Sequence, residues 1–202
     1  MLSRHIWIKV ARVVLIALAA VLLLFFGARV IGAYRWRSET EDLRRRLDAA
    51  RVPVHPRTID FRELPLNIAM KQVIGNGKRT MAVFEDPNCG YCRQMRKDLA
   101  KVRDVTIYTF VIPILSADSE VKAKKALCAG DKVRAWTDLM VSGKVPDNAG
   151  SCETPLAQMR ELAQKLGITA TPTVFFQNGK RLQGYVPADQ LERMLDENAK
   201  KS

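Results

Sequence analysis

The sequence predicts an α/β fold with a mixed β-sheet, preceded by one apolar N-terminal helix. Three observations predict this architecture. An uncharged run of sixteen residues occupies 13–28. Two β-rich runs flank a helical pattern within 80–114, and a second pair of β-rich runs followed by a helix ends the chain. Sheets built from such strand–helix–strand and hairpin units are covered by helices on their faces.

The apolar run predicts a transmembrane anchor at 12–34, after a short tail at 1–11. With Arg29 counted as a snorkelling residue, the run is long enough for the roughly 20 residues that cross a bilayer. A cleaved signal peptide has an apolar run of about 7–15 residues and a small-x-small cleavage site. The best such site here, at 31–33, is poor, so an uncleaved anchor is expected. A signal peptide and a buried core helix are the alternatives.

Residues 35–58 predict a helical stalk and a linker. Ser38 followed by Glu41 is a capping pattern for a short charged helix, and Pro53 and Pro56 end it. Two heptads are too few to predict a coiled coil, so a solvated stalk is expected. A homodimer contact through the stalk or the anchor stays open as an alternative.

The strong positive charge bears on partners and on topology. The net charge is +12, and arginines stand on both sides of the apolar run, so the positive-inside rule alone does not decide the orientation. No aromatic-interleaved basic strand, zinc module or helix-turn-helix pattern is present in the sequence, so nucleic acid is not expected as a partner. Arginines beside an anchor fit the anionic head groups of membrane lipid.

The soluble domain is predicted to occupy 59–202. Helical spacing over 64–74 predicts a helix that a Gly-Asn-Gly turn ends. The run at 80–84 predicts a buried strand, 90–102 a helix, and 105–114 a second strand. The connection is long enough for a parallel pair with a right-handed crossover.

The second half of the domain predicts a helical insert and then a hairpin. Residues 117–167 have amphipathic helical spacing, interrupted at 143–150. The runs at 173–176 and 181–185 flank an Asn-Gly pair, which is a strong hairpin signal. A final helix is predicted at 188–199.

A Cys-x-x-Cys sequence, Cys89 to Cys92, stands where the first strand meets the first helix. Such a pair is a redox dithiol, half of a zinc site, or two unrelated buried thiols. Zinc needs about four ligands, the other two cysteines are single and distant, and both His5 and His55 precede the domain. No metal and no cofactor are therefore expected.

The redox interpretation has a physical mechanism. Unpaired backbone N–H groups and the dipole at a helix N-terminus stabilise a thiolate, and thiols in such motifs have pKa values of roughly 3.5–7.5 instead of about 8.5. Cys89, nearest the helix start, is expected to be the exposed nucleophile. Cys92, one turn further in, is expected to resolve a mixed disulfide.

A proline lies far along the chain at the start of a predicted strand, in Thr171-Pro172. It is either a cis turn with a function or an ordinary edge proline, and the residues alone leave both open.

Taken in order, several motifs resemble the catalytic domain of the DsbC/DsbG family of bacterial periplasmic disulfide isomerases. The resemblance covers about 59–200 and implies a thioredoxin-like fold, βαβ…ββα with a helical insertion at about 117–167. The motifs that carry it are 84–92 with Cys-Gly-Tyr-Cys, the Leu-Cys-Ala-Gly-Asp-Lys run at 127–132, Cys152, Thr-Pro-Thr at 171–173, and Asn178-Gly179.

The resemblance assigns roles to individual residues. It implies that Cys89 attacks and that Cys92 is its partner. It implies a cis Pro172 facing them, with Thr171 tuning the dithiol and the neighbouring backbone pairing with an extended client segment. Residues of the same motifs, Gly90 and Tyr91, are expected to share in client binding and redox tuning. It also implies a structural disulfide, Cys128–Cys152.

That disulfide bears on the compartment. Closing a loop of about 25 residues is worth about 3–4 kcal/mol in the chain-entropy model. Structural disulfides persist in oxidising compartments, so the expected location is the inner membrane, single-pass, with the catalytic domain in the periplasm. Two buried free thiols in a cytosolic protein are the alternative. The expected partners are exported proteins with disulfides and a membrane reductase of the DsbD type.

Two departures from the family pattern leave the reaction direction open. Residues 35–58 are too short for the family's dimerisation domain, and Ala170 stands where the family usually has glycine. Isomerase, reductase and oxidase activity all remain open. An anchored chaperone or assembly factor is the alternative function. A reductase for apocytochrome c is disfavoured, because no tryptophan precedes Cys89 and the helical insert is long.

Overall fold

The computed structural model describes residues 58–199 and places five strands in one mixed sheet. The strands are β1 (Met70–Ile74), β2 (Arg79–Glu85), β3 (Val105–Val111), β4 (Thr173–Phe176) and β5 (Arg181–Gln183). The helices are α1 (Gly90–Leu99), α2 (Ala117–Leu127), α3 (Lys132–Ser142), α4 (Leu156–Lys165) and α5 (Ala188–Ala199). Two short 3-10 turns, Phe61–Glu63 and Leu66–Ile68, precede β1.

The strand order across the sheet is β1-β3-β2-β4-β5. Strands β2 and β3 run parallel, with Glu85 opposite Val111, and α1 connects them. Strand β4 is antiparallel to β2, with Phe84 opposite Thr173. Strands β1 and β5 form the edges, antiparallel to β3 and β4 respectively. The predicted strand–helix–strand unit and the hairpin with its helix are therefore both confirmed.

Helices cover both faces of the sheet because the side chains of β2 alternate between two apolar clusters. Ala82 and Phe84 pack with the insert helices α2, α3 and α4. Met81 and Val83 pack with α1 and α5. A central strand that is buried on both faces needs a continuous apolar run, and the run at 80–84 meets that need.

The helix predicted over 64–74 is wrong. The second 3-10 turn, Leu66–Ile68, occupies its first part, and β1 occupies the rest. The side chains of β1 alternate between buried Met70 and exposed Lys71 and Val73. In so short a stretch, helical spacing and strand alternation coexist, and the free edge of β3 supplies backbone partners that local spacing does not reveal.

The helical insert consists of three helices within the described residues. Ser116 caps the start of α2 and Asp131 caps the start of α3, each through its side chain. Gly143 ends α3 with a φ of 74°, a left-handed conformation that glycine adopts without steric cost. Other boundaries are shorter than predicted: α1 ends at Leu99, β3 at Val111 and β5 at Gln183.

Across residues 58–199, none of the helices combines the length and the apolar character that a membrane crossing requires. The tail predicted at 1–11, the anchor at 12–34, and the stalk and linker at 35–57 lie outside the described residues.

We expect replacement of Phe84 by alanine to destabilise the domain by about 3–5 kcal/mol, because it leaves a cavity in the core. Phe84 is fully buried, stacks on Phe110 at 4.7 Å between ring centroids, and meets the Phe175 ring edge-on at 6.0 Å. Urea unfolding measures the loss. The control is Val121→Ala on exposed surface of α2, expected to change stability by less than about 0.5 kcal/mol. Equal effects of the two substitutions would contradict the central position of Phe84.

Candidate active site

The predicted nucleophile lies at the junction between β2 and α1. Cys89 is the N-cap residue of α1, with extended backbone angles of φ −75° and ψ 115°. Its Sγ accepts a hydrogen bond from the backbone N–H of Cys92 at 3.2 Å. Only 6% of Cys89 is exposed, and Cys92 is fully buried. The two sulfurs therefore differ in access, with Cys89 the outer one.

The environment separates the acidities of the two thiols. Hydrogen bonding from the Cys92 thiol lowers the pKa of Cys89 to about 6, and the Thr171 side chain and the backbone N–H groups of Cys92 and Tyr91 contribute further. Burial raises the pKa of Cys92, and the hydrogen bond to Cys89 and the negative charge of Glu85 raise it further. At neutral pH the outer sulfur is a thiolate and the inner one a thiol, which is the division that thiol–disulfide exchange requires.

A buried carboxylate shapes the turn that carries Cys89. Asp86 is inaccessible to solvent and accepts hydrogen bonds from the backbone N–H groups of Asn88 (2.7 Å), Ile114 (2.8 Å) and Leu115 (2.9 Å). The Ser119 hydroxyl donates to it at 2.9 Å. Because these donors come from the turn, from the segment after β3 and from α2, Asp86 ties the cysteine turn to the insert. The sequence analysis assigned no individual role to this aspartate, which lies within the motif at 84–92.

The Thr171-Pro172 peptide bond is cis and lies beside the dithiol. In its protonated form, the Cys89 thiol donates a hydrogen bond to the backbone carbonyl of Thr171 at 3.3 Å, 82 positions further along the chain. Pro172 is buried, and its carbonyl accepts a hydrogen bond from the Gly184 N–H at 2.8 Å. The structure thus brings four of the predicted site residues together: Cys89, Cys92, Thr171 and Pro172. The tuning role of Thr171 stays a prediction.

The two residues between the cysteines face solvent. Tyr91 is 68% exposed, and its ring stacks on that of Tyr185 with 6.4 Å between centroids. A Cβ placed on Gly90 would meet no heavy atom within 4 Å, so the space above it is open. Neighbouring side chains do not require glycine at this position.

A buried ion pair lies beneath the dithiol, and sequence reasoning missed it. Arg96 of α1 forms a salt bridge with Glu85 at 2.7 Å, with 3% and 0% of the two side chains exposed. The Trp136 indole N–H donates to the same carboxylate at 2.9 Å, and Arg96 also donates to Thr109. The sequence contains one indication of this ion pair: a glutamate ends an otherwise apolar strand, and an arginine lies on the helix that follows.

The remaining two cysteines are separate from the dithiol. Cys128 and Cys152 are joined by a disulfide with 5.6 Å between their Cα atoms, linking the end of α2 to the segment before α4. Cys152 is exposed and Cys128 is half-buried. Among the described residues, no three histidine, cysteine, aspartate or glutamate side chains are grouped closely enough to hold a metal ion.

Fold and site together define a class: a thioredoxin-like domain with a Cys-x-x-Cys dithiol at a helix N-terminus facing a cis-proline turn. The family model described as "Thioredoxin-like domain" matches residues 66–199. The crystal structure of the disulfide interchange protein from Neisseria gonorrhoeae superposes with a TM-score of 0.66 at 39% identity, covering 68% of this chain and 100% of that one.

Proteins of similar sequence are also named thiol:disulfide interchange proteins. The probable thiol:disulfide interchange protein DsbC of Bordetella pertussis is 46% identical over 138 residues, 68% of this chain and 49% of the relative. The DsbC protein of Escherichia coli K12 is 32% identical over 127 residues, 61% of this chain and 53% of the relative. The chain therefore belongs to the thioredoxin-like thiol:disulfide interchange proteins of the DsbC/DsbG family. It spans about half the length of these curated relatives.

The acidity of Cys89 predicts how its alkylation depends on pH. Because only the thiolate reacts, the iodoacetamide rate of the reduced protein should rise with pH and reach half its maximum near pH 6. In Cys92→Ala the midpoint should move to higher pH, since the largest stabilising hydrogen bond is lost. The Cys89→Ser control should show no labelling of Cys92 in this range. A midpoint near the ordinary thiol value of 9.0 would contradict the assignment.

Removing Arg96 tests the buried ion pair. We expect Arg96→Met to destabilise the domain by about 3–5 kcal/mol, because it leaves the Glu85 carboxylate buried without its cation. The double variant Glu85→Met/Arg96→Met should lose less than the single one, since no unpaired charge remains. Denaturant unfolding compares the two, with Arg193→Met at the exposed ion pair with Asp189 as the control. An effect of Arg96→Met no larger than the control would show that the pair is not electrostatically coupled.

Proposed function

We propose that this chain catalyses thiol–disulfide exchange in exported proteins through the Cys89–Cys92 dithiol, as an isomerase or oxidoreductase. The observation that carries the proposal is the position of Cys89: its sulfur lies at the start of α1, accepts a hydrogen bond from the Cys92 backbone N–H at 3.2 Å and stands beside the cis Thr171-Pro172 bond. The same surroundings lower its pKa to about 6. A thiolate is the attacking species in disulfide exchange. The names of the relatives support the same chemistry.

The first step forms a mixed disulfide. The Cys89 thiolate attacks one sulfur of a client disulfide, so a bond forms between Cys89 and the client while the client's own S–S bond breaks. The second client sulfur leaves as a thiolate and takes a proton from water. The backbone N–H and carbonyl of Thr171 can pair with an extended client segment during this step, whereas Pro172 has no N–H and its carbonyl is bonded to Gly184.

Two outcomes follow from the mixed disulfide. In isomerisation, another client thiolate attacks the mixed disulfide, forms a new client disulfide and returns Cys89 as a thiolate, with no net transfer of electrons. In reduction, Cys92 loses its proton and attacks the Cys89 sulfur, which releases the client as a thiolate. That route leaves a Cys89–Cys92 disulfide and gives two electrons to the client.

The inner thiol favours the first outcome. Burial and the charge of Glu85 both raise the pKa of Cys92, and neither cause depends on Cys89 being a free thiolate. A resolving thiol that stays protonated attacks slowly, so the mixed disulfide persists long enough for client thiols to rearrange. Isomerisation also needs a reduced dithiol, which a membrane reductase of the DsbD type would maintain.

The proposed location is the periplasmic side of the inner membrane, with residues 12–34 as the anchor in membrane lipid. The Cys128–Cys152 disulfide supports an oxidising compartment, because structural disulfides rarely persist in a cytosol. The proposal requires no homodimer; one formed through the stalk or the anchor stays an alternative.

Refolding of scrambled ribonuclease tests the activity of the full chain. The wild-type protein in its reduced form should restore ribonuclease activity, and Cys89→Ser should abolish this. Cys92→Ser, the matched cysteine variant, should accumulate a covalent adduct with the client on non-reducing gels. Equal refolding by Cys89→Ser and the wild type would refute exchange chemistry and favour the chaperone alternative.

The equilibrium with glutathione tests the direction of electron flow. A Cys89–Cys92 couple near −120 mV would act as an oxidant, and one near −270 mV as a reductant, on the scale of known dithiol proteins. An isomerase is expected to lie between these values. A potential at either limit would replace isomerisation by oxidation or reduction as the main reaction.

A further inference from the structure

A large exposed aromatic side chain stands between the two cysteines. Tyr91 is 68% exposed, although most side chains of its size in this domain are buried. Its ring lies nearly parallel to that of Tyr185, with a 17° angle between planes and 6.4 Å between centroids. Stacked rings in this range attract each other, so the exposed ring has a defined position.

Tyr185 is itself held in place from two directions. Its hydroxyl donates to the Asp98 carboxylate at 2.6 Å, and its ring packs against the apolar cluster between the sheet, α1 and α5. Asp98 is 4% exposed and also forms a salt bridge with Lys101 at 2.7 Å. A chain of contacts therefore runs from α1 through Asp98 and Tyr185 to Tyr91.

The hydrogen bond between Tyr185 and Asp98 has a measurable consequence. The bond to Asp98 raises the pKa of the Tyr185 phenol, because ionisation would place two negative charges together. On the other side, the bridge to Lys101 and then the Tyr185 hydroxyl lower the pKa of Asp98. The phenol of Tyr185 therefore reports whether the contact to Asp98 is intact.

The two rings border the backbone that faces the nucleophile. Gly184, the neighbour of Tyr185, donates its N–H to the Pro172 carbonyl at 2.8 Å. The preceding carbonyl, that of Thr171, lies 3.3 Å from the Cys89 sulfur. Tyr91 follows Cys89 by two residues and Tyr185 follows Gly184 directly, so both rings belong to segments that border the site of attack.

We infer that Tyr91 and Tyr185 form an aromatic platform that selects client segments carrying an aromatic or aliphatic residue beside the cysteine under attack. Asp98 is a positioning residue that holds the platform through the Tyr185 hydroxyl. This inference rests on the proposed exchange function and adds to it the class of client sequence. Aromatic contacts of this kind correspond to a preference of about three- to tenfold.

Peptide mixed disulfides test the platform directly. The probes are two short peptides, identical except for phenylalanine or glycine after the single cysteine, each capped on that cysteine with thionitrobenzoate. Attack of Cys89 on the peptide sulfur releases the coloured thionitrobenzoate anion, so its absorbance gives the rate for the full-length reduced protein. The ratio of the two rates cancels any change in the acidity of Cys89, because the same thiolate attacks both peptides.

The expected result is a wild-type ratio of about three to ten in favour of phenylalanine. Tyr91→Ser, an exposed substitution, should bring the ratio close to one, and Tyr185→Ala should do the same. Tyr108→Phe, at a tyrosine on β3, is the matched control and should keep the wild-type ratio. A ratio near one in the wild type, or one unchanged in Tyr91→Ser, overturns the inference while exchange itself continues. No release with either peptide would instead refute the proposed function.

Two further variants test the positioning role of Asp98. Asp98→Asn and Tyr185→Phe should each reduce the phenylalanine preference, because both weaken the contact that orients Tyr185. In Asp98→Asn, ultraviolet titration should show the Tyr185 pKa falling toward its ordinary value. Lys101→Met removes the neighbouring ion pair without removing the phenol bond, and it should preserve the preference. If Asp98→Asn shifts the Tyr185 titration without changing the preference, the positioning role is wrong.

Discussion

The hydrogen bond from the Cys92 N–H to the Cys89 sulfur is the contact on which the rest of the site depends. It exists only where a helix begins, because only there does a backbone N–H lack a partner within the helix. The N–H groups at the helix start add to the stabilisation of the Cys89 thiolate, whose largest contribution is the hydrogen bond from the Cys92 thiol. The surrounding structure holds the helix start, the turn and the cis-proline segment in fixed positions around that sulfur.

Buried polar groups fix these positions. Asp86 accepts four hydrogen bonds and holds the cysteine turn against the insert, while the Glu85–Arg96 pair holds β2 against α1. Burying charges is costly, and a buried ion pair is weak evidence for stability. Glu85 and Asp86 stand at the end of the central strand, directly before the cysteine turn, and the negative charge of Glu85 helps to raise the pKa of Cys92.

Local pattern predicted the strands and helices that bury a continuous or periodic apolar face. The central strand β2, the hairpin of β4 and β5, and α5 at Ala188–Ala199 all follow from such signals. Strand β1 did not, because an edge strand of five residues owes its conformation to hydrogen bonds with β3. Within the site, Cys89 and Cys92 were identified from their spacing, and Thr171-Pro172 from the resemblance. Asp86, Arg96, Trp136 and the Tyr91–Tyr185 contact were not, because each acts through a partner distant in sequence.

The sequence by itself determined the chemistry that is available: a dithiol at a predicted strand-to-helix junction, an Asn-Gly hairpin, and two further cysteines that are single and distant from the dithiol. Only the tertiary structure decided how different the two thiols are. Acidity depends on burial, on the direction of N–H groups and on charges such as Glu85. These quantities exist only in the folded domain, where Thr171 lies beside Cys89 although it is 82 positions away in sequence.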